Sequence, residues 1–332
     1  MIYPPCYRDE QPRRAENSVL RATRCRRVPP LAADSTPPPR DARYHAPMLA
    51  IAVTAIGLVV FVLGGALELL GLIAIAIIIT FLLARRHASP RPAPSTLGGQ
   101  LGICAGEIAA AWSVFLFAMP LERWLLGRDV PAARAGTVPV LLIHGYVNNA
   151  GALWRLWKAL VDKGFGVYTL NLEPVYADVD AYAPLIAARV AAIRAATGAA
   201  EVTLVCHSMG GLAARAYLRA CARQQTAPAL AKVVTLGSPH HGTALAQFEI
   251  SSNGKQKKLG SRWLAALAAD ERGAWPCPLV SVYSFDDNIV APQLSAHLEG
   301  ARNIALSGIG HISLPLARRV IEVVLAEVEG VP

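Results

Sequence analysis

The longest apolar run in the sequence places the first constraint on how this chain folds. Within Leu49–Ala84 the only charged residue is Glu68. A single helix over this run would measure about 54 Å, nearly twice the roughly 30 Å hydrocarbon core of a bilayer. The Gly64–Gly65 pair lies near its middle, so residues 48–86 are predicted to form a transmembrane hairpin that turns there. Two buried core helices are the alternative, but the length of the run and its single charge favour membrane insertion.

The sequence before the apolar run has a composition that cannot bury a core. Residues 1–47 carry nine Arg and nine Pro, and this basic tail is expected to be disordered. We give equal weight to a second interpretation, that Met48 is the true start and the tail a misassigned extension. Because Arg85 and Arg86 follow the run, a hairpin with both ends in the cytoplasm satisfies the positive-inside preference.

The overall charge and hydrophobicity also indicate a membrane. The formal net charge is +9, mostly from arginine, and the first basic cluster lacks interleaved aromatic residues. Attraction to anionic lipid is therefore favoured over nucleic-acid binding. A hydrophobic fraction of 54% is high for a purely soluble protein. We predict membrane lipids as partners and no nucleic acid, and the sequence leaves the oligomeric state open.

A second apolar segment follows a Pro-containing linker at residues 87–100. This segment, 101–126, is interrupted by Glu107. If it spanned the membrane, the rest of the chain would lie outside the cytoplasm, but Arg123 and Arg134 come soon after it and disfavour translocation. It could instead lie in the membrane interface or pack on the soluble domain, so the side of the membrane stays open.

From Thr137 onward, short apolar runs alternate with helical patterns. Strands are predicted at 138–143, 167–172, 202–206, 232–237, 279–284 and 303–308, and helices at 152–164, 184–198, 211–222 and 316–328. Continuous Val, Ile and Leu runs separated by helices are typical of a parallel sheet that is covered on both faces. Residues 137–332 are therefore predicted to form a doubly wound, mostly parallel α/β domain.

One serine lies where such a fold places a reactive side chain. Ser208 falls between the strand ending "VTLVC" and the helix beginning "GLAARAYL". A sharp strand-to-helix turn lifts a side chain clear of the carboxyl edge of the sheet, and Gly210 and Gly211 suit that turn. The helix that starts there also points its positive end at a developing oxyanion. A small-X-Ser-X-Gly match is weak alone, and a turn residue without chemistry is its plainer interpretation.

Two later strand ends supply partners for this serine. A serine hydroxyl needs a base that is itself oriented by an acid, in the chain order Ser, Asp or Glu, His. Asp287 follows the strand "LVSVYS" and His311 follows "NIALSG". Asp286 could substitute as the acid, but we prefer Asp287. We therefore predict a catalytic triad of these three side chains, a solvated aspartate and a capping histidine being the plainer alternatives.

Two backbone N–H groups are predicted to form an oxyanion hole. Met209 follows the serine, and Tyr146 lies in "IHGYVNN" after the first strand, where Gly145 permits a tight bend. In the same regions His144 and His207 are interpreted as structural hydrogen-bonding residues.

Together the segments "LLIHGY", "CHSMGGLAARAYL", "TLGSPHHGT", "SFDDNIVAP" and "GIGHISL" resemble the bacterial lipase and esterase branch of the α/β-hydrolase superfamily. They are also similar to the lipase-like domains of inositol deacylases. The resemblance covers residues 137–328 and not the N-terminal 136. It implies Ser208 as nucleophile, Asp287 as orienting acid, His311 as general base, and the amides of Tyr146 and Met209 as oxyanion donors. It also suggests the bacterial inner membrane as the location.

The sequence departs from the usual pattern at one position. Where the motif G-x-S-x-G has its first glycine, this chain has Cys206, which predicts closer packing against the following helix. Cys206 itself is not expected to be the nucleophile, because it ends a buried strand. His240 and His241 are expected to shape a loop above the sheet; with no carboxylate at helical spacing, we predict no metal and no cofactor.

Residues 243–278 form the longest insertion of the domain. Trp263, Leu264 and Leu267 could line one helical face there. A mobile lid that opens at a lipid surface is one hypothesis; a fixed cap is slightly favoured because the apolar stripe is only two turns long.

The sequence as a whole predicts a membrane-anchored serine hydrolase that cleaves carboxylic esters, most plausibly of acyl lipids, through an acyl-enzyme. An acyltransferase with the same triad and a non-catalytic membrane scaffold are the two alternatives. An intact Ser/Asp/His set disfavours the scaffold, which has no need of all three residues.

Overall fold

The computed structural model of the protein describes residues 42–91, 96–127, 129–271 and 275–330. The chain divides into two compact units, Met1–Phe61 and Val62–Pro332. Most of the basic tail predicted to be disordered lies outside the described residues, although the first helix already begins at Ala42.

A six-stranded sheet forms the centre of the second unit. Its strands are β1 (Val140–Ile143), β2 (Val167–Leu170), β3 (Val202–His207), β4 (Leu230–Leu236), β5 (Leu279–Ser284) and β6 (Arg302–Leu306). They are arranged in the order β2-β1-β3-β4-β5-β6, and every neighbouring pair is parallel. The predicted doubly wound parallel sheet is therefore confirmed, with strand bounds within two residues of those expected.

Helices cover both faces of the sheet. These helices are α4 (Trp154–Asp162), α5 (Ala183–Thr197), α6 (Met209–Arg223), α7 (Ser252–Gln256), α8 (Arg262–Asp270) and α9 (Arg318–Glu329). Before β1 the chain forms α1 (Ala42–Arg85), α2 (Leu97–Trp112) and α3 (Glu122–Leu125). Alternate residues of β1 join different cores: Leu141 and Ile143 pack with α5 and α6, whereas Val140 and Leu142 pack with α4 and α9. This period of two, with both faces buried, explains the continuous apolar runs of the strands.

The prediction that residues 48–86 form a hairpin with a turn at Gly64–Gly65 is wrong. Helix α1 runs without interruption from Ala42 to Arg85, through the Gly64–Gly65 pair. An unbroken helix pairs the backbone N–H and C=O groups of this run within itself, which outweighs the cost of two glycines inside the helix.

The turn instead lies between α1 and α2. The indole Nε1 of Trp112 donates to the carbonyl oxygen of Leu70 at 3.0 Å, and Arg85 contacts Gln100 at the other end, so the two helices run antiparallel. By length and composition, Val53–Arg85 and Leu97–Ala118 are the two described helices apolar enough to cross a membrane, with mean hydropathies of 2.7 and 1.8.

Helix α2 packs against the α/β domain along one face, which was one of the expected alternatives. Glu107, Ala111 and Val114 are buried there, at helical spacing. After Trp112 the helix continues as one wider turn, Ser113–Ala118, before the chain enters the domain.

The insertion at 243–278 contains α7 and α8. Leu264 and Leu267 of α8 are both buried, Leu264 in the core on the α5 and α6 side, and Trp263 donates from Nε1 to Asp180 at 2.9 Å. These contacts join α8 to the α/β domain; whether the insertion is a fixed cap or a mobile lid stays a prediction.

Candidate active site

Ser208 occupies the junction of β3 and α6 in a strained backbone conformation. Its φ is 54° and its ψ is −123°, a region that residues with a Cβ atom rarely adopt. The Ser208 N–H donates to the carbonyl oxygen of Leu236 at 2.8 Å, which ties the turn to β4. The turn therefore presents the hydroxyl at the carboxyl edge of the sheet.

Glycines beside this turn allow close packing that a side chain would prevent. A Cβ atom on Gly211 would lie 2.1 Å from Ser238 Oγ, and one on Gly210 would lie 2.7 Å from the carbonyl oxygen of His144. A Cβ atom on Gly145 would lie 2.8 Å from the Cβ of Ser208. All three glycines are required by the packing around the serine.

The structure brings the three sequence-predicted side chains into one hydrogen-bonded row. His311 Nε2 lies 2.9 Å from Ser208 Oγ, and His311 Nδ1 lies 2.7 Å from Asp287 Oδ2. Asp287 Oδ1 accepts hydrogen bonds from the N–H groups of Ile289 and Val290 at 2.8 and 2.7 Å. Because both oxygens of Asp287 are engaged, the carboxylate is fixed in orientation toward the imidazole.

Asp286, the other candidate for the acid, points elsewhere. Its carboxylate pairs with Arg91 and accepts the N–H of Gly308 at 2.7 Å. It makes no contact with His311 within the described part of the chain, so the geometry agrees with the choice of Asp287.

The surroundings of His311 set its basicity. Burial lowers the pKa of His311, but the adjacent Asp287 carboxylate more than compensates, so the pKa lies above its ordinary value. A base with a raised pKa takes a proton from a hydroxyl more readily.

The two predicted oxyanion donors belong to the residue after the serine and to the loop after β1. Met209 is the first residue of α6, where an N–H group has no acceptor within its own helix. Tyr146 lies in the loop after β1, and among the described residues neither N–H donates to another group of the chain. Both amides are thus available to a ligand.

The neighbouring histidines make structural hydrogen bonds. His144 Nε2 accepts the N–H of Leu172 at 3.0 Å and Nδ1 donates to the Gly145 carbonyl at 2.7 Å; burial lowers the pKa of His144 to about 4. His207 Nε2 contacts the His311 carbonyl at 3.1 Å, and its ring lies 4.8 Å from the His311 ring.

Cys206 and the His240–His241 pair also take no part in the hydrogen-bonded row. Burial raises the pKa of the Cys206 thiol well above its usual range. His240 Nε2 contacts Thr235 Oγ1 at 3.1 Å, and His241 Nε2 contacts the His297 carbonyl at 3.1 Å, so both histidines shape the loop as expected.

A cavity of about 340 Å³ opens onto the serine and histidine. Its walls are mainly apolar and come from the loop after β1, the insertion, and both N-terminal helices, with Leu83, Phe115, Leu245, Ala246, Phe248 and Val290 among the lining residues. Such a shape suits an acyl chain beside a polar reaction centre.

Several residues of this site carry no signal in the sequence. Thr80 and Lys257 also line the cavity, and Asn148 places a buried Oδ1 there that has no hydrogen-bond partner among the described residues. Glu107 approaches the loop that carries His311. Of these residues, Glu107 alone stands out in the sequence, as a lone acid in an apolar segment. The others reach the site through contacts between segments far apart in the chain, which no local pattern predicts.

Comparisons with known proteins show what the domain that holds this site is similar to. The family model described as palmitoyl protein thioesterase matches residues 139–270, which include Ser208 but end before Asp287 and His311. A triacylglycerol lipase of Burkholderia plantarii is 32% identical over 154 residues, covering 42% of this chain and 42% of the lipase. A triacylglycerol lipase of Pseudarthrobacter phenanthrenivorans is 35% identical over 118 residues, covering 33% and 35%. The chain thus spans less than half the length of the curated relatives it matches.

Solved structures share the fold. The mature form of the Bacillus licheniformis lipase BlEst2 superimposes with a TM-score of 0.54 at 17% identity, over 61% of this chain and 96% of that one. At this identity the likeness concerns the fold: a parallel sheet with the helices on both faces.

Proposed function

We propose that this chain contains an α/β-hydrolase domain of the lipase and esterase group and is a membrane-anchored serine hydrolase that cleaves carboxylic esters of acyl lipids; the family and relative matches support this. One observation carries the proposal: Ser208, His311 and Asp287 form a buried row with contacts of 2.9 and 2.7 Å at the end of an apolar cavity. A hydroxyl, a base and an orienting acid in this arrangement are suited to acyl transfer.

In the first half of the reaction, Ser208 Oγ attacks the ester carbonyl. His311 Nε2 takes the hydroxyl proton as the new C–O bond forms, and Asp287 holds the imidazole by its Nδ1 and stabilises the positive charge. His311 then donates that proton to the leaving alcohol, and an acyl-serine remains. In the second half, water repeats the sequence and releases the acid.

The negative charge of the tetrahedral intermediate requires donors that are in place beforehand. The free N–H groups of Tyr146 and Met209 fill this role, with the N-terminus of α6 adding a favourable dipole. Loss of one such donor typically raises the barrier by about 3 kcal/mol.

The membrane part of the proposal rests on α1 and α2. Along α1 the side chains of Leu63, Leu67, Leu72 and Ile78 are exposed, as expected for a surface that faces lipid. Leu83 of α1 and Phe115 after α2 line the same cavity as Ser208, so an acyl chain in that cavity contacts both membrane-associated segments.

A panel of p-nitrophenyl esters with increasing acyl length, assayed with and without detergent micelles, tests the activity. We expect hydrolysis by the wild-type protein and a loss of at least 10³-fold in Ser208→Ala. Equal turnover by the variant would contradict the role of Ser208. No turnover by the wild type on any ester would contradict the proposal and favour a scaffold role.

The thioesterase family match justifies a further pair of assays. Palmitoyl thioester hydrolysis tests whether the acyl group is released from sulfur as well as from oxygen. Addition of short alcohols separates a hydrolase, which yields free acid, from an acyltransferase, which yields the new ester.

A further inference from the structure

One ammonium group in the cavity has no anion beside it. Lys257 follows α7, is only 6% exposed, and lines the cavity that contains Ser208 and His311. Its Nζ lies 3.2 Å from the centre of the Tyr146 ring. A cation over an aromatic face gains some stabilisation, but less than a paired charge does.

Within the described chain, no carboxylate lies within 4.0 Å of Lys257 Nζ, and no hydrogen-bond acceptor contacts it. The nearest influence of opposite sign is Glu249, which also lines the cavity and whose Oε2 accepts the Tyr146 hydroxyl at 2.8 Å. A buried ammonium without a direct partner is unfavourable, so this group gains from an anionic ligand.

The position of Lys257 determines where an anion bound to it would lie relative to the ester carbonyl. The ammonium of Lys257 lies over the ring of Tyr146. The backbone N–H of the same tyrosine is one of the proposed oxyanion donors. We propose that Lys257 binds an oxyanion of the substrate a few bonds from the ester carbonyl, which makes acidic acyl lipids such as phospholipids better substrates than neutral glycerides.

The electrostatic environment agrees with this role. Burial lowers the pKa of Lys257 to about 7, while Glu249 opposes the shift. An anion bound at the ammonium would offset the cost of burial and hold the group in its charged form.

The test rests on the proposed hydrolase activity and compares two diacyl lipids, one with an anionic phosphoglycerol headgroup and one with a neutral hydroxyl in its place. Dihexanoyl phosphatidylglycerol and dihexanoylglycerol, both monomeric, are assayed with wild type, Lys257→Met and the control Lys255→Met on the exposed side of α7. We expect Lys257→Met to lower kcat/KM for the phospholipid at least tenfold more than for the neutral lipid, mainly through KM. Lys255→Met should leave both unchanged.

An equal loss on both lipids, or no loss on the phospholipid, would overturn the subsite. A second pair, p-nitrophenyl hemisuccinate and p-nitrophenyl butyrate, shows whether an oxyanion on the acyl side is recognised in place of a phosphate on the alcohol side. If the wild type cleaved none of the four, the hydrolase proposal itself would fail.

An independent observation concerns the loop that carries His311. Glu107 of α2 is fully buried, and its carboxylate accepts the N–H of Ile312 at 2.6 Å, the N–H of Ser313 at 3.0 Å and the hydroxyl of Ser313 at 2.6 Å. An acid in an apolar helix is costly, and this one satisfies three donors of a buried turn.

Helix α1 is also connected to the loop that carries His311, through Asn288. The N–H of His311 donates to Asn288 Oδ1 at 3.1 Å, and Asn288 Nδ2 donates to Thr80 Oγ1 at 2.8 Å. We infer that Glu107 is a positioning residue for His311, so that the two apolar helices belong to the active-site framework and are more than an anchor.

Glu107→Gln tests this role, since the amide keeps the size of the side chain but presents an N–H group to the donors of the loop. We expect kcat to fall 10- to 100-fold with KM within threefold. The control is Glu68→Gln, which removes an exposed carboxylate from α1 and should have no effect.

Two further readouts separate positioning from general destabilisation. The groups that face His311 are Asp287, Glu107, His207 and Lys257. Loss of the Glu107 charge should move the acidic limb of kcat/KM to lower pH, and it should shift the NMR resonance of the His311 Nδ1 proton. An unchanged kcat would overturn the inference. So would a loss of activity in proportion to the loss of folded protein, with the pH profile of kcat/KM and the His311 Nδ1 resonance unchanged. The resonance is measured without substrate, so it is informative even if the hydrolase proposal fails.

Discussion

At the scale of single residues, Ser208 combines an unfavourable backbone conformation with close packing on every side. The positive φ at this position is maintained because Gly145, Gly210 and Gly211 leave room for the turn. The strain is thus part of how the hydroxyl is held toward His311.

The basicity of His311 predicts a pH dependence. Only the neutral imidazole can take the serine proton, so kcat/KM should fall as the pH drops through the pKa of His311, which Asp287 holds above its ordinary value. In Asp287→Asn, burial remains and the carboxylate is gone, so the acidic limb should move to lower pH while kcat falls roughly 10⁴-fold. A pH–rate profile of both proteins checks this; an unmoved limb would show that Asp287 does not set the pKa.

The sequence predicted site residues best where a side chain capable of acid, base or nucleophile chemistry directly follows a predicted strand. Ser208, Asp287 and His311 could each be predicted because parallel strands bring their carboxyl ends to one edge. Thr80, Asn288 and Lys257 could not, since their contacts join segments whose approach depends on tertiary packing and no local pattern marks them.

At the scale of elements, the helix α8 is held to α6 by a buried ion pair. Arg215 is 2% exposed, and its guanidinium contacts both oxygens of Glu271, with Nε at 2.8 Å from Oε1. Arg215 also donates to the His240 carbonyl at 2.8 Å. This network fixes the end of the insertion to the domain.

Removal of one partner should therefore be costly. In Glu271→Ala the guanidinium stays buried without its partner, and the free energy of unfolding should fall by about 3–5 kcal/mol. The matched control is Asp162→Ala, which breaks the exposed pair with Lys158 and should cost less than about 1 kcal/mol. Denaturant unfolding in detergent measures both. Similar small losses in the two variants would indicate that α8 is loosely held, as a lid would be.

The helical elements also show a limit of sequence patterns. Glycine pairs mark turns in polar surroundings, but in α1 the apolar neighbours favour an unbroken hydrogen-bond ladder, and Gly64–Gly65 stays helical. The turn forms after Arg85, where charged and proline residues return.

At the scale of the whole molecule, the parallel sheet follows from the alternation of apolar strands and helices, whereas the docking of α1 and α2 does not. Their composition indicates a membrane, but Glu107–Ser313 and Thr80–Asn288 are contacts that no hydropathy profile contains. The apolar helices and the reaction centre form one framework within residues 62–330.

The proposed membrane association rests on the exposed apolar surface of α1. The protein should remain with the membrane pellet after washing with alkaline carbonate. The double variant Val59→Lys and Leu63→Lys places two charges in the apolar span, each costing about 2.5–3.5 kcal/mol in a membrane, and should shift protein to the supernatant. Release of the wild-type protein by the wash would instead indicate peripheral association.

The central claim is that Ser208 is a nucleophile activated by His311 and Asp287, and covalent trapping tests it most directly. The wild-type protein is treated with a fluorophosphonate, and the site of the adduct is mapped by peptide mass spectrometry, alongside Ser208→Ala and His311→Ala. We predict a single adduct on Ser208, none in Ser208→Ala, and labelling slowed by at least 10³-fold in His311→Ala. An adduct on another residue, or equally fast labelling without the imidazole, would contradict the account.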